Sequence, residues 1–247
     1  MGNHTFPPGD DTCKVCGVSA KDAPRVPCIT LYKYCKSEHE RAFFDRGALR
    51  IGTLFYYQDS KIHGAMIGDQ SDSRVTMSGS FEGDSVQTIA DNPNLANRFK
   101  FFGPSEKQSL TIEGMRLSSP NLYIFSTSLA YSDAAHRRWL ADPHAQYDSC
   151  YRIDSVDAFF AAVSQVIATK ATLVGCTRVS YYDSDLHIDI RSPLATLHPS
   201  QLKGGKTYGD QIEARAIWNP ITTGPIDHMD IEVPDAIKYC SSHKRLK

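Results

Sequence analysis

The stretch Gln211-Ile212-Glu213-Ala214-Arg215-Ala216-Ile217-Trp218 alternates polar and apolar residues and ends in a wholly apolar run. Because successive side chains of a β-strand point to opposite faces, this pattern predicts a strand whose polar face carries Gln211, Glu213 and Arg215. The alternate positions would point into a core: Ile212, Ala214 and Ala216. Charged groups are costly to bury unless they are paired. Taken alone, the pattern is most typical of a half-exposed strand with an ion pair.

The composition describes an ordinary globular protein. The chain has 247 residues, which is enough for one sizeable core, and 41% of them are hydrophobic while 22% are charged. We find no stretch of about 18 apolar residues and no signal peptide, so we predict a cytoplasmic location and no membrane partner. A formal net charge of −1 argues against a protein that coats nucleic acid through bulk charge, although a local basic groove would still fit.

The cysteines indicate thiols or metal ligands rather than a disulfide framework, because their number, seven, is odd. Cys13 and Cys16 form a Cys-x-x-Cys-Gly motif, which is typical of a zinc knuckle because the short spacer lets both thiolates reach one metal ion. Cys28 and Cys35 are the nearest further ligands, but their spacing is not that of a second knuckle. Zinc, free thiols and a redox pair are therefore all open. We expect residues 1–28 to form an arm ahead of one domain at 29–247.

Local patterns predict a strand, a helix and a second strand at the start of this domain. Ser37 and Glu40 have the spacing of a capping box, and Gly47 would end the helix that they begin. The clearest helix is expected at about residues 155–169, where apolar residues recur with helical spacing. Strands are expected at 29–34, 48–57, 121–129, 172–182 and 228–233, and a solvated basic tail at 243–247. Strands dominate, and the few helices do not alternate regularly with them, which predicts an α+β fold.

Three motifs follow one another along the chain: Tyr32-Lys33-Tyr34, Ser126-Thr127-Ser128 and Gln211-Ile212-Glu213. Their order resembles that in the arginine–serine–glutamate branch of the ADP-ribosyltransferase superfamily, whose split β-sheet binds NAD in a central cleft. The chain is also similar to an uncharacterised bacterial family with a Tyr-Lys-Tyr start and a Glu-x-Glu-x-Arg end. The likeness covers about residues 29–218. It departs from the branch at the first motif, where Lys33 replaces arginine or histidine and lacks their fork or ring geometry.

The resemblance implies a split, mostly antiparallel β-sheet with few helices, and an NAD-dependent mono-ADP-ribosyltransferase with NAD as its substrate. Glu213 would stabilise the cation that forms when nicotinamide leaves the ribose, and Gln211 would orient the acceptor. Ser126 would brace Glu213, while Arg215 would be a structural partner of a carboxylate. The remaining expected NAD-binding residues are Lys33, Tyr32, Thr127, Ser128, Tyr56 and Tyr57. Tyr56, Tyr57 or Tyr131 would stack on nicotinamide.

The acceptor of such an enzyme would be a macromolecule, either protein or nucleic acid, or water in a hydrolytic variant. A toxin or phage-defence effector with an antitoxin as its partner fits this class. The alternative is a catalytically degenerate module that binds a nucleotide or a partner through a zinc-stabilised arm. A metal-dependent hydrolase is less well supported, because its candidate ligands do not have the spacing of a known metal site: Asp59, His63, Asp69 and Asp72.

Overall fold

The computed structural model describes residues 29–67, 72–81, 110–182, 187–204 and 212–246. The chain divides into two compact units, so the domain expected at 29–247 contains both. The main unit comprises Met1–Gln70, Asn121–Arg178 and Asp210–Lys247, and the second unit comprises Ser71–Pro120 and Val179–Gly209. The expected arm at 1–28 lies outside the described residues.

The main unit is built on an eight-stranded sheet in which every described pairing is antiparallel. Its strands, numbered along the whole chain, are β1 (Leu31–Cys35), β2 (Ala48–Thr53), β5 (Tyr123–Ser128), β6 (Ser149–Ile153), β7 (Ala171–Arg178), β11 (Glu213–Pro220), β12 (Met229–Glu232) and β13 (Cys240–Arg245). The described helices of this unit are α1 (Ser37–Arg46), α2 (Leu54–Gln58), α3 (Ser60–Ile67, interrupted at Gly64), α4 (Asp133–Ala141), α5 (Val156–Val166) and α6 (Pro234–Ile237). The predicted α+β class with a mostly antiparallel sheet is confirmed.

The sheet is split along strand β5. One edge of β5 pairs with β11 over its whole length. On the other edge, β2 pairs with the first two residues and β1 pairs only with Ser128. Strands β1 and β2 therefore separate opposite Phe125–Thr127, and we call this gap the split.

The two faces of the sheet have different surroundings. On the core face, Phe125, Ala216 and Trp218 pack against apolar side chains of α5, including Phe159 and Phe160. The amphipathic helix predicted near 155–169 is confirmed, and the Trp218 indole donates a hydrogen bond to Ser164 Oγ at 2.8 Å. Fully burying each large apolar side chain contributes roughly 1.5–3 kcal/mol. We call the opposite face the Glu213 face, because the register places Ser126, Ser128, Glu213 and Arg215 there.

The start of α1 differs from the predicted capping box. The amide of Ser37 donates to Asp148 Oδ1 at 2.6 Å, so a distant carboxylate caps the helix. Glu40 is fully buried and instead accepts hydrogen bonds from Ser149 Oγ, Ser242 Oγ and Arg245 Nε. The helix ends at Gly47, as predicted, with a left-handed φ of 76°.

Residues 243–245 of the predicted solvated basic tail are exposed, as expected, but they do not form a free tail, because they belong to β13, which pairs with β6. The sequence of β13 is polar and its side chains beyond Ser241 are exposed, so it lacks the apolar alternation from which a strand is predicted. Its hydrogen bonds to β6 and the ion pair between Arg245 and Glu40, at 2.8 Å, hold it in place.

The described residues of the second unit form two small sheets. In the first, β3 (Arg74–Phe81) lies between β4 (Leu110–Ser118) and β9 (His187–Asp189); the other is a parallel pair of β8 (Ser180–Tyr182) and β10 (Leu202–Gly204). Two short 3₁₀ turns, Pro193–Thr196 and Pro199–Gln201, precede β10. Its core includes Val75, Met77, Leu117 and Ile188. Among the residues with a described structure, no helix has both the length and the apolar character needed to cross a membrane.

Candidate functional site

Glu213 lies at the start of β11 and is held by two side chains of the same face. Its Oε1 accepts a hydrogen bond from Ser126 Oγ at 2.6 Å and another from Arg215 Nε at 2.7 Å. Its Oε2 is 3.3 Å from Arg215 Nη2. The side chains of Arg215 and Glu213 are only 2% and 7% exposed, so each compensates the buried charge of the other. The expectation that Arg215 pairs with a carboxylate is confirmed, and the contact between Ser126 and Glu213 is present.

The strand begins two residues later than predicted. Ile212 is 36% exposed and has a left-handed φ of 45°, so the prediction that it points into the core is wrong. A β-branched residue in this conformation is strained by about 1–3 kcal/mol. Its carbonyl accepts a hydrogen bond from Leu129 N at 2.9 Å, which holds the bend against the end of β5. Gln211 lies outside the described residues, so its role as an acceptor-orienting group stays a prediction.

Tyr32, Ser128 and Glu213 form a row across three neighbouring strands. Tyr32 is opposite Ser128, and Ser128 is opposite Glu213. With strands about 4.8 Å apart, the Cα atoms of Tyr32 and Glu213 are separated by about 10 Å. The Tyr32 ring also contacts Tyr131 and His243, with centroid distances of 6.1 and 5.0 Å. The structure therefore brings Tyr32 and Ser128 to the face that carries Glu213.

Tyr57 covers another part of the same face. Gly52 is opposite Ile124 in the sheet, and a Cβ atom at Gly52 would be 2.1 Å from Tyr57 Cε2. The ring therefore occupies the space that any larger residue at position 52 would need. Burial raises the pKa of Tyr57, and the neighbouring Tyr147, Tyr56 and Glu213 raise it further. Sequence patterns gave no reason to single out Tyr147, which lies in a loop and whose own pKa burial raises to about 12.

Tyr56 lies on the same short helix and faces a group of histidines. Its ring centroid is 4.4 Å from that of His63 and 4.7 Å from that of His228. Its hydroxyl accepts a hydrogen bond from Arg50 Nη1 at 3.4 Å, while Arg50 also forms an ion pair with Asp230 at 2.7 Å. Of the tyrosines expected to stack on nicotinamide, Tyr57 packs against Gly52 on the Glu213 face, and Tyr56 contacts Arg50, which alternates onto the same face of β2.

Lys33 and Thr127 point away from this face. Lys33 follows Tyr32 in β1, and Thr127 follows Ser126 in β5. Because neighbouring side chains of a strand point to opposite faces, Lys33 and Thr127 lie on the face opposite to Tyr32 and Ser126. Thr127 Oγ1 donates to the Ala214 carbonyl at 3.1 Å, which ties β5 to β11. The predicted roles of Lys33 and Thr127 in binding NAD beside Glu213 do not agree with this geometry.

Lys33 lies at the split. Its Nζ donates to the main-chain carbonyl of Ser126 at 2.8 Å and is 4.4 Å from the centroid of the Phe125 ring. In the described register no strand pairs with β5 opposite Ser126 on this edge, so the ammonium replaces a missing sheet hydrogen bond. Burial lowers the pKa of Lys33, and the nearby Cys35 and Glu213 partly offset this.

The predicted zinc site gains no support from Cys35. Burial raises the pKa of its thiol to about 12, whereas zinc binds the thiolate. Cys13, Cys16 and Cys28 lie outside the described residues. Across the part of the chain that the structure describes, no three His, Cys, Asp or Glu side chains are grouped to hold a metal ion, and this includes Asp59, His63 and Asp72. Asp69, the fourth ligand of the hydrolase hypothesis, is not among the described residues.

Comparisons with family models, with curated proteins and with solved structures find no match to this chain. The choice of function therefore depends on the geometry of the Glu213 face and on the order of the motifs.

Proposed function

We propose that the Glu213 face is an NAD-binding cleft at which the protein transfers ADP-ribose to a macromolecule. The observation that supports this most directly is the buried carboxylate of Glu213, which Ser126 and Arg215 fix in one orientation beside a split antiparallel sheet. The resemblance implied the same combination of serine, glutamate and sheet.

The chemistry follows from charge. When the bond between the nicotinamide nitrogen and the ribose carbon breaks, its electron pair leaves with nicotinamide and the ribose becomes cationic. A carboxylate that is already oriented stabilises this cation without reorganising during the reaction. A hydroxyl or amine of the acceptor then bonds to the ribose carbon and loses its proton. Glu213 would also accept a hydrogen bond from a ribose hydroxyl.

The surrounding residues supply the rest of the proposed cleft. Tyr57 would stack on nicotinamide, since its ring already lies over Gly52 on this face. Tyr32 and Ser128 would contact the NAD on the other side of Glu213, because they continue the same row across the sheet. The acceptor is a protein or a nucleic acid in this proposal, and the biological setting is that of a toxin or phage-defence effector controlled by an antitoxin.

One observation favours a second candidate, a module that binds a nucleotide without catalysis. Arg215 contacts both carboxylate oxygens of Glu213, at 2.7 and 3.3 Å. The guanidinium neutralises part of the charge that catalysis would use. Nicotinamide release separates the two candidates, because only the transferase or hydrolase produces it.

The test compares two matched variants of the full chain. Glu213→Gln removes the proposed catalytic carboxylate, and Glu40→Gln removes a second buried carboxylate that also binds a serine and an arginine. Ser149, one of the serines that donate to Glu40, is opposite Cys35 and therefore points to the core face. With NAD labelled in nicotinamide, and at a temperature where all proteins are folded, we expect Glu213→Gln to lose about 100-fold or more of the release rate. Glu40→Gln should remain within about threefold of the unmodified protein, because its carboxylate is not oriented toward the cleft.

Three other results would change the conclusion. NAD binding without any nicotinamide release in the unmodified protein would support the nucleotide-binding module. Equal losses in Glu213→Gln and Glu40→Gln would assign both to stability. Absence of NAD binding would exclude the transferase.

A further inference from the structure

We propose that the main unit contains a second binding site, distinct from the Glu213 face, for a small aromatic carboxylate. A cavity of about 450 Å³ lies between α1 and the sheet, and residues of β1, β2, β5, β6 and β12 line it. Its volume is within the range of about 300–1,000 Å³ that is usual for small-molecule sites. Side chains from the core face line it, including Lys33, Phe125 and Tyr151. The proposal does not depend on NAD binding at Glu213.

Aromatic side chains define the shape of the cavity. Phe43 from α1 stacks on Tyr151 from β6, with a centroid distance of 4.9 Å and an interplanar angle of 13°. Phe125 and Leu49 continue the apolar lining on the other strands. Flat apolar walls favour a flat apolar ligand, since aromatic rings gain binding energy from offset or edge contacts beyond that of the area that they bury.

The charges of the cavity favour a single negative charge on the ligand. Of the residues that the structure describes, three cationic and two anionic side chains line it. Arg46 pairs with Glu232 and Arg50 with Asp230, both at 2.7 Å, which leaves one positive charge on Lys33. Among the described residues, no carboxylate is within 4.0 Å of Lys33 Nζ. The described lining of the cavity therefore carries one uncompensated cation.

The ammonium of Lys33 also has spare donors. It can donate three hydrogen bonds, and with the described residues it makes one, to the Ser126 carbonyl. A partly buried ammonium gains strongly from a charge-assisted bond to a carboxylate. One ammonium beside apolar walls suits a monoanionic carboxylate better than a phosphate, which usually takes several cationic or main-chain donors. Charge and shape together indicate a carboxylate attached to an aromatic ring.

Calorimetric titrations with sodium benzoate and benzamide test the proposal, because the two probes have the same size but only benzoate is charged. The unmodified protein should bind benzoate about 10-fold or more tightly than benzamide. Lys33→Met should remove this preference while benzamide binding changes by no more than about threefold. Lys36→Met is the matched control, because Lys36 is three positions away and does not line the cavity, and it should bind benzoate like the unmodified protein. Inorganic phosphate should bind more weakly than benzoate.

A second variant protects the test from a folding defect in Lys33→Met. Ala42 lines the cavity from α1, so Ala42→Leu should obstruct it and weaken both probes while Lys33 is retained. Equal affinities for benzoate and benzamide, benzoate binding that survives in Lys33→Met, or no benzoate binding at all would overturn the proposal. Tighter binding of phosphate would overturn the aromatic carboxylate and assign a phosphate site instead.

Discussion

Replacing Glu213 by glutamine should destabilise the main unit by about 3–5 kcal/mol, the usual cost of removing one partner of a buried ion pair. The structure gives the reason. Two short hydrogen bonds, at 2.6 and 2.7 Å, and a third contact at 3.3 Å end on this carboxylate. Each charge-assisted bond contributes about 1.5–3 kcal/mol, and the glutamine amide has one acceptor oxygen and no charge. Arg215, 2% exposed, then loses its bidentate partner.

A double-mutant cycle tests this reasoning. Arg215→Met removes the guanidinium, and the double variant Glu213→Gln, Arg215→Met contains neither charge, so it should regain at least half of the stability lost in Glu213→Gln. Urea unfolding followed by tryptophan fluorescence is the assay, because both tryptophans of the chain, Trp139 and Trp218, belong to the main unit. A loss below about 1 kcal/mol in Glu213→Gln, or a double variant less stable than the sum of its parents, would refute the buried ion pair as described.

Two further predictions concern packing and protonation. Gly52→Ala should lower the free energy of unfolding by about 1–3 kcal/mol, because the new Cβ would be 2.1 Å from Tyr57 Cε2. In the proposed transferase it should also raise the Michaelis constant for NAD. Unchanged thermal unfolding would show that the ring is free to move. Cys35 has a folded pKa raised from 9.0 to about 12, so the folded state retains a proton that the unfolded state releases, and stability should fall as pH rises from 9 to 12. Cys35→Ala should reduce this slope by up to about 1.4 kcal/mol per pH unit in urea titrations across that window, and an identical slope would contradict a buried thiol.

The alternation of side chains along the strands predicted part of the site, and it could also have predicted that Lys33 and Tyr32 lie on opposite faces. The alternation along β11 correctly placed Glu213 and Arg215 on one face, and the order of the motifs brought Ser126 to them. The same alternation separates Lys33 from Tyr32, but the family resemblance assigned both to one cleft. Neighbouring residues of a strand point to opposite faces, so this assignment was inconsistent with the sequence pattern. The structure places Lys33 and Tyr32 on opposite faces.

Other features had no local signal. Asp148 caps α1 from 111 positions away along the chain, so the capping motif of Ser37 and Glu40 was the better sequence match but not the structure that forms. Strand β13 is polar and is stabilised by its pairing with β6 and by the contact between Arg245 and Glu40. The second unit joins two segments that are distant in sequence, and no local pattern shows which distant segments pack together.

Ser126 connects the two proposed sites through different atoms: its carbonyl binds Lys33 and its hydroxyl binds Glu213. If a ligand at Lys33 shifts this residue, the affinity for NAD must change, and thermodynamic reciprocity then fixes the reverse effect. The ratio of NAD dissociation constants with and without benzoate must equal the ratio of benzoate dissociation constants with and without NAD. Through this one serine, a ligand bound in the cavity on one face of the sheet would thus change the affinity for NAD on the other face.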